Sequence, residues 1–205
     1  MVRVILRVPS MDLIREARQL TSRLERDGVA VDLHVVGRKG IGFFRYIGRT
    51  LAAARSDIGD RPTAEHAAEL VQGMMGDFVA GRLDAVYVVY SKYNSPLSTP
   101  PTTERILPVV PPERKGRRMR DYLLFPSAEA ILTELLPLYV RNAVYRALVE
   151  TAAGEQGARR TAMKNATDNA GEMLNVLRRT YNRARQAQIT QEIAEIVSGA
   201  EALER

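Results

Sequence analysis

Residues 84–90 read DAVYVVY, and this run of β-branched and aromatic side chains decides the fold class because such residues favour strands. A second run, AVDLHVV at residues 30–36, has the same character and ends at Gly37. Residues 102–110 read TTERILPVV and give a third strand, which Pro108 weakens and places at a sheet edge. The three runs predict a β-sheet.

Helical patterns lie between these strands. Residues 12–27 place apolar side chains three and four positions apart with charges between them, and Gly28 follows as a stop signal. Similar patterns cover residues 41–54 and 63–80, and the second of these starts with an incomplete capping box at Thr63. Strands that alternate with helices predict an α/β fold, with a small mixed or parallel sheet and flanking helices.

The chain changes character after the third strand. Residues 111–121 combine prolines, a glycine and five basic residues, so we expect an exposed linker, and residues 122–125 can form a short last strand. From Ser127, a natural N-cap, to about Gly199, helix formers dominate. Pro137 is the expected kink or break in this helix.

These patterns divide the chain into two predicted domains. Residues 1–126 would form a Rossmann-like α/β domain, and residues 127–205 would form one long C-terminal helix. About 50 helical residues at about 1.5 Å each span about 75 Å, which exceeds the width of a small domain. We therefore expect this helix to protrude from the domain and to be embraced by another element.

Composition excludes several classes of chemistry. The chain has no cysteine, which removes disulfides, thiolate metal ligands and a cysteine nucleophile. Its only imidazoles are His34 and His66, and neither has a second ligand type at suitable spacing, so we predict no metal, no cofactor and no catalytic residue. No stretch reaches the roughly 18 apolar residues that a membrane span needs. The net charge of +6 indicates an acidic partner, and charge alone does not choose among nucleic acid, an anionic membrane surface and acidic protein subunits.

Two alternative functions rest on weaker patterns. Residues 37–42 follow a strand and precede a helix, where a phosphate-binding turn would lie, but their G-x-x-G-x-G spacing matches neither common nucleotide motif. A nucleotide-binding α/β protein is therefore one alternative. A basic nucleic-acid-binding protein is the other, because residues 114–120 hold five basic side chains, although no aromatic residues interleave them to stack bases.

A seven-residue repeat of small apolar side chains runs along the long helix. Such a repeat places its members on one side of a helix and is typical of a coiled-coil seam. Small side chains admit a neighbouring helix closely but bury little area each. The predicted seam consists of Met163, Ala166, Ala170, Met173, Leu177 and Ala184.

Charge is also ordered along this helix. A basic belt comes first, with only Asp168 and Glu172 against it, and it consists of Arg159, Arg160, Lys164, Arg178, Arg179, Arg183 and Arg185. The end of the helix is acidic, with Glu192, Glu195, Glu201 and Glu204. Because carboxylates at a helix C-terminus oppose the helix dipole, these acids indicate contacts with a partner.

The last part of the chain resembles a known family. Residues 189–202 read ITQEIAEIVSGAEA and are similar to the C-terminal signature of ATP synthase gamma subunits. Residues 158–170 (ARRTAMKNATDNA) and 181–186 (YNRARQ) resemble the helix of the same family, and residues 36–40 (VGRKG) resemble its α/β domain.

The resemblance implies a rotor. In that family the α/β domain lies near the membrane ring and the epsilon subunit, and the C-terminal helix lies inside the ring of alpha and beta subunits. It implies a non-catalytic subunit on the cytoplasmic face of the bacterial inner membrane, with alpha, beta and epsilon subunits and the c-ring as partners and no nucleic acid. By position, it assigns contacts with the alpha/beta head to Arg159, Gln186, Thr190, Glu192 and Glu195.

The start of the chain departs from the family pattern. Family members open with a long helix, a strand and a Gly-Leu-Cys-Gly turn, whereas this chain opens MVRVILRVPSMD, to which we assign no element. We therefore expect the α/β domain to be incomplete at its N-terminus, and we expect the chain alone to couple poorly.

Overall fold

The computed structural model describes residues 1–8, 10–110, 125 and 127–203. Its strands are β1 (Val2–Arg7), β2 (Val31–Val36), β3 (Ala53–Arg55), β4 (Ala85–Ser91) and β5 (Pro101–Leu107). Its helices are α1 (Met11–Arg26), α2 (Arg38–Tyr46), α3 (Ala64–Val79) and α4 (Ala128–Leu203). The predicted linker at residues 111–121 and most of the predicted strand at 122–125 lie outside the described residues.

The sheet is mixed, as predicted, with the strand order β3-β2-β1-β4-β5. Strands β1 to β4 pair in parallel, and β5 pairs antiparallel with β4 at one end of the described order. The predicted strands at residues 30–36, 84–90 and 102–110 correspond to β2, β4 and β5. The α/β fold with a long C-terminal helix is confirmed.

The central strand, β1, comes from residues to which the sequence assigned no element. Its alternation is broken by Arg3 and Arg7, which make it resemble a surface segment. Both arginines find partners elsewhere in the fold. The Arg3 Nη1 lies 2.5 Å from the Asp77 Oδ2, and the Arg7 Nη2 donates to the Gly59 carbonyl oxygen at 2.9 Å.

The predicted helix at residues 41–54 is wrong at both ends. Helix α2 begins at Arg38 and ends at Tyr46, and Gly48 then adopts a φ of +72°, which ordinary residues rarely adopt. The Ala52 amide donates to the Leu33 carbonyl oxygen at 2.9 Å, and the chain continues as β3 beside β2. Apolar spacing alone did not reveal this short edge strand.

Helices α1 and α3 lie where the sequence predicted them. At the start of α3, the capping box is complete and not partial. The Thr63 Oγ1 accepts from the His66 amide at 3.4 Å, and the His66 Nδ1 accepts from the Thr63 amide at 3.1 Å. His66 thus takes the place that glutamate or glutamine usually holds in this motif, which gives it a structural role.

Two apolar layers cover the sheet. On one face, α1 and α2 contribute Leu13, Ile14, Ala17 and Phe44 to a core with alternate residues of β1 and β2. On the other face, α3 and the first part of α4 pack against β4 and β5. The α4 members of this second core are Val140, Val144, Ala147 and Leu148.

Helix α4 begins at Ala128, directly after the predicted N-cap Ser127, whose Oγ accepts from the Ala130 amide at 3.2 Å. Of the predicted kink or break at Pro137, the break does not occur, since Pro137 lies inside the continuous helix, and the kink stays a prediction. The chain forms two compact units, Met1–Ala158 and Arg159–Arg205. The first unit includes the part of α4 that packs on the sheet, and the predicted division at residue 126 stays a prediction about domains.

Candidate functional site on the C-terminal helix

The second unit exposes an apolar surface. From residue 159 to residue 199 every residue is exposed except Thr161, which is partly buried. The exposed residues include Met163, Met173 and Leu177, which are 63%, 66% and 58% exposed. Large apolar side chains exposed together along one helix mark a surface for association.

The predicted seam residues share one side of this helix. Spacings of three and four residues place side chains in line on a helix, so the six members form one strip. Three of them are alanines, which let a neighbouring backbone approach closely. The assignment of this strip to pairing with a second helix stays a prediction. The side chains of the strip are suited to close apolar packing.

Four of the five predicted contact residues lie together near the helix end. The Thr190 Oγ1 donates to the Gln186 carbonyl oxygen at 2.9 Å. The Glu192 Oε1 accepts from the Gln188 Nε2 at 3.2 Å, and the Glu195 Oε1 accepts from the Gln191 Nε2 at 3.0 Å. These bonds lie along the surface of the helix, so the carboxylates stay available to a second partner.

Arg159 stands apart from the other four. It begins the second unit, 27 residues before Gln186, so the two are about 40 Å apart along the helix. The structure therefore does not bring the five residues into one site. They define two places on the helix where contacts with other subunits were predicted.

An isoleucine stripe near the helix end was missed by the sequence reasoning. Ile189, Ile193 and Ile196 are 48%, 57% and 71% exposed and follow one another at spacings of four and three. At about 100° per residue they lie roughly opposite the seam that ends at Ala184. The signal that could have revealed this stripe is the spacing of the isoleucines at positions 189, 193 and 196.

The first unit anchors α4 to the sheet through polar contacts, of which those of Thr151 are buried. The Thr151 Oγ1 accepts from the Ser91 amide at 3.2 Å and donates to the Ala147 carbonyl oxygen at 2.8 Å. The Glu150 Oε2 accepts from the Tyr93 amide at 3.1 Å. These bonds fix the end of β4 to the side of α4.

Ionic contacts extend this anchor. The Arg146 Nη2 lies 2.6 Å from the Glu104 Oε2, which also accepts from the Tyr90 hydroxyl at 3.1 Å. Burial raises the pKa of Tyr90, and the Glu104 carboxylate adds to this effect. The phenol therefore stays protonated and remains a donor in this cluster.

Two glycines let the loop between β4 and β5 approach α4 closely. A Cβ on Gly154 would lie 3.0 Å from the Thr99 Cγ2, and one on Gly157 would lie 3.2 Å from the Pro96 Cα. We call residues 146–157 the anchor segment. Its polar bonds and close packing tie α4 to the sheet and its loops.

The glycine-rich residues 37–42 are the N-cap and the first residues of α2, and two of their glycines have a structural role. Gly37 precedes α2 with a φ of +105°, a conformation that favours glycine. A Cβ on Gly40 would lie 2.8 Å from side-chain carbons of Val8 and Val35. The positive φ accounts for glycine at position 37, and close contact with Val8 and Val35 accounts for glycine at position 40.

Two other kinds of site, a membrane-spanning helix and a cluster of metal ligands, are not found in the part of the chain that the structure describes. None of its helices combines the length and apolar character that a membrane crossing needs. Within residues 1–8, 10–110 and 127–199, no three potential metal ligands come together.

The fold is an α/β domain that holds one end of a long helix. Further along, this helix exposes apolar and charged side chains. These features are typical of a protein that assembles with partners through a helix. The family comparisons agree with this class. Residues 10–203 match the family model described as ATP synthase. Together with the relatives named ATP synthase gamma chain that are described next, this match shows that the chain belongs to the ATP synthase gamma-chain family, as the resemblance predicted.

Bacterial relatives named ATP synthase gamma chain are similar over almost the whole chain. The one from Gemmatimonas aurantiaca is 64% identical over 195 residues, which cover 94% of this chain and 67% of the relative. The one from Pelotomaculum thermopropionicum is 44% identical over 188 residues, which cover 91% of this chain and 66% of the relative. The chain thus spans about two thirds of the length of these relatives.

Solved structures share the fold. A chain of the Tetrahymena thermophila mitochondrial ATP synthase central stalk and c-ring has a TM-score of 0.57 at 21% identity, covering 81% of this chain and 76% of its own length. A chain of the Euglena gracilis mitochondrial ATP synthase has a TM-score of 0.56 at 18% identity, covering 99% and 72%. At these identities the likeness concerns the fold.

Proposed function

We propose that the chain acts as the central-stalk rotor of a rotary, proton-driven ATP synthase, without a catalytic residue of its own. It would couple proton flow through the membrane sector to ATP synthesis in the alpha/beta head. The observation that carries this proposal is the continuous exposed surface of residues 159–199 in a member of the gamma-chain family.

The proposed mechanism is a population shift by unequal contact. A rotor biases the conformations of the catalytic subunits only if it binds them with different free energies. The exposed part of α4 is suited to this task because its sides differ. The seam ends near Ala184, the isoleucine stripe follows on roughly the opposite side, and charge changes from basic to acidic along the helix.

The predicted contact residues would make the polar part of these contacts. Gln186, Thr190, Glu192 and Glu195 would bind polar or basic groups of the alpha/beta head near the helix end, and Arg159 would bind acidic groups far from them. Charge pairs that lose their water at an interface can couple strongly, with measured energies of about 1.5–7 kcal/mol in a well-studied complex.

The α/β domain would carry the mechanical load. In the proposed arrangement it lies near the membrane ring and the epsilon subunit, as a peripheral component on the cytoplasmic face of the bacterial inner membrane. The anchor segment would pass torque between α4 and the sheet. Its bonds from Glu150 and Thr151 to the backbone of β4 and the following residues support this role, because they resist sliding of the helix along the sheet.

The test measures ATPase activity of alpha and beta subunits after this chain is added, alone or extended by a family-type N-terminal helix. The decisive variant is Q186A/T190A/E192A/E195A. Its matched control is N165A/T167A/D168A/E172A, which also removes one amide, one hydroxyl and two carboxylates from exposed positions of α4. Thr167, like Thr190, donates to the carbonyl oxygen four residues before it at 2.9 Å.

We expect the decisive variant to lower the activated ATPase rate about tenfold, which corresponds to about 1.4 kcal/mol of coupling, while the control stays within about twofold. An equal loss in both variants would mean that these positions only support the helix. No association of either version of the chain with alpha and beta subunits would refute the rotor proposal itself.

A further inference from the structure

A basic groove lies between α1 and α2, on the face of the sheet opposite α3. It has a volume of about 620 Å³ and is lined mainly by one side of α1, with Phe43 of α2 on the other side. Four arginines line it: Arg15, Arg18, Arg23 and Arg26. Neither the resemblance nor the rotor proposal uses this surface.

The carboxylates of α1 do not neutralise the groove. The Glu16 Oε1 accepts from the Thr103 hydroxyl at 2.8 Å, and the Glu25 carboxylate accepts from Arg49 at 3.3 Å. Asp12 pairs with Arg15 at 3.5 Å, where both side chains are highly exposed, so this pair is weak. The acids of the helix are therefore either engaged elsewhere or only loosely paired.

The remaining arginines of the groove carry uncompensated charge. Among the described residues, Arg18, Arg23 and Arg26 form no ion pair, and Arg26 only donates through its Nε to the Ser22 carbonyl oxygen at 3.1 Å. A concave surface with several like charges focuses the electrostatic field and attracts a ligand of opposite sign. The charge of the groove is thus complementary to that of an anionic partner.

Apolar side chains form part of the same groove. Met11 is 64% exposed at one end, and Phe43 is partly buried and packs edge-on against the buried Phe44 at a ring distance of 5.6 Å. A thioether and an aromatic ring beside guanidinium groups fit an occupant that has both apolar and acidic side chains. A free anion would use only the charges.

The spacing of the arginines favours an extended protein segment. Arg15 and Arg26 lie three turns apart on α1, about 16 Å along the helix axis. One phosphate would reach one or two of the four guanidinium groups. Carboxylates on successive turns of a helix could meet several of them, and guanidinium groups bind carboxylates with two parallel hydrogen bonds.

We propose that the groove between α1 and α2 is a docking site for an acidic amphipathic segment of a partner protein. The segment would place carboxylates against Arg18 and Arg23 and an apolar side chain between Met11 and Phe43. The site belongs to the α/β domain, so it is a second interaction surface in addition to the exposed part of α4.

The test uses the full chain and a fluorescent 16-residue helical peptide that carries glutamates on one side and leucines beside them. Binding is measured by fluorescence anisotropy at moderate salt. The decisive variant is R18E/R23E. Its control is R61E/R105E, which changes the net charge equally at two exposed arginines outside the groove. Circular dichroism confirms that both variants fold.

We expect R18E/R23E to weaken peptide binding at least about tenfold and R61E/R105E to change it less than about twofold. An equal loss in both variants would show attraction by net charge alone and overturn the proposal. Absence of peptide binding to the unmodified chain would overturn it as well.

Two further probes separate other occupants. Vesicles of neutral and anionic phospholipids, and a single-stranded DNA of 16 nucleotides, are measured with the same variants. If only vesicles or DNA show a loss specific to R18E/R23E, the groove recognises phosphates and not an acidic protein segment, which refutes the proposal.

The apolar part of the site has its own control. M11A should weaken peptide binding by a few-fold, whereas V79A, at a side chain that is 87% exposed elsewhere in the domain, should leave it unchanged. Equal binding by both variants would contradict an amphipathic occupant. None of the variants changes residues 159–199, so their failure would leave the rotor proposal standing.

Discussion

Helix α4 contains two stretches of similar helix-forming sequence with opposite surroundings. In the first unit, Val144 and Leu148 are 0% and 2% exposed against the sheet and α3. In the second unit, Met173 and Leu177 are 66% and 58% exposed. The first stretch takes its stability from tertiary packing, whereas the apolar side chains of the second stretch are exposed and would be buried only against another surface.

The comparison separates folding from assembly within one helix. A buried leucine on the sheet contributes to the stability of this chain, and an exposed leucine in the same helix contributes to stability only when a partner covers it. Substitutions of the same kind in the two stretches should therefore affect different measurements.

The largest expected difference is between L148A and L177A. Removing the buried Leu148 side chain leaves a cavity and should lower the free energy of unfolding of the first unit by about 2–5 kcal/mol. L177A removes exposed atoms and exchanges two good helix formers, so its effect should stay within about 0.5 kcal/mol. Urea unfolding followed by circular dichroism measures both. Similar losses in the two variants would mean that the stretches do not differ as described.

A smaller difference is expected between T151V and T167V. Thr151 is fully buried, and T151V leaves the Ser91 amide without its acceptor, which should cost about 1–3 kcal/mol. Thr167 makes a similar bond to its own helix but is exposed, so T167V should change the unfolding free energy by less than about 0.5 kcal/mol. A negligible effect of T151V would refute the anchoring role of this hydroxyl.

The smallest expected effect is on the pH dependence of stability, and it arises from His34 in the packed α/β domain. Burial lowers the pKa of His34 below its usual value of 6.5, and the positive charge of Arg3 lowers it further. The unfolded chain therefore binds a proton near pH 6.5 while the folded chain does not, so stability is full above that pH and falls as pH decreases below it. H34Q should lack this part of the pH dependence.

Thermal unfolding of the unmodified chain and H34Q between pH 8 and pH 5 checks this sign. As pH decreases, the melting temperature of the unmodified chain should fall more than that of H34Q. A difference that is constant with pH, or that changes in the opposite direction, would contradict it. H66Q serves as a comparison because it removes a partly buried imidazole from a helix cap.

Sequence patterns predicted the parts of the fold that depend on local spacing. Strands β2 and β4 and helices α1 and α3 have runs or periodicities that identify them without tertiary information. Strand β1 was missed because Arg3 and Arg7 interrupt its apolar pattern, and their partners, Asp77 and Gly59, lie far away along the chain. Strand β3 has three residues and depends on pairing with β2.

In the candidate site, too, the features that depend on local spacing were predicted and those that depend on distant partners were not. The seam and the charge pattern repeat along one helix, so they could be read directly, and the family signature supplied the contact residues. The anchor could not be read, because the bond between Ser91 and Thr151 joins residues 60 positions apart. The α1–α2 groove likewise depends on which acids of α1 are engaged by other elements.

The most direct test of the account is thiol labelling of L177C in the free chain and after addition of alpha and beta subunits. The chain has no native cysteine, so the introduced thiol is the only one in this chain that can react, and labelling is measured on this chain alone. V79C, at an exposed position of the α/β domain, is the control. We predict rapid labelling of both variants in the free chain and strong protection of L177C alone after assembly. Undiminished labelling of L177C in the presence of alpha and beta subunits would contradict the central claim that other subunits cover the exposed part of α4.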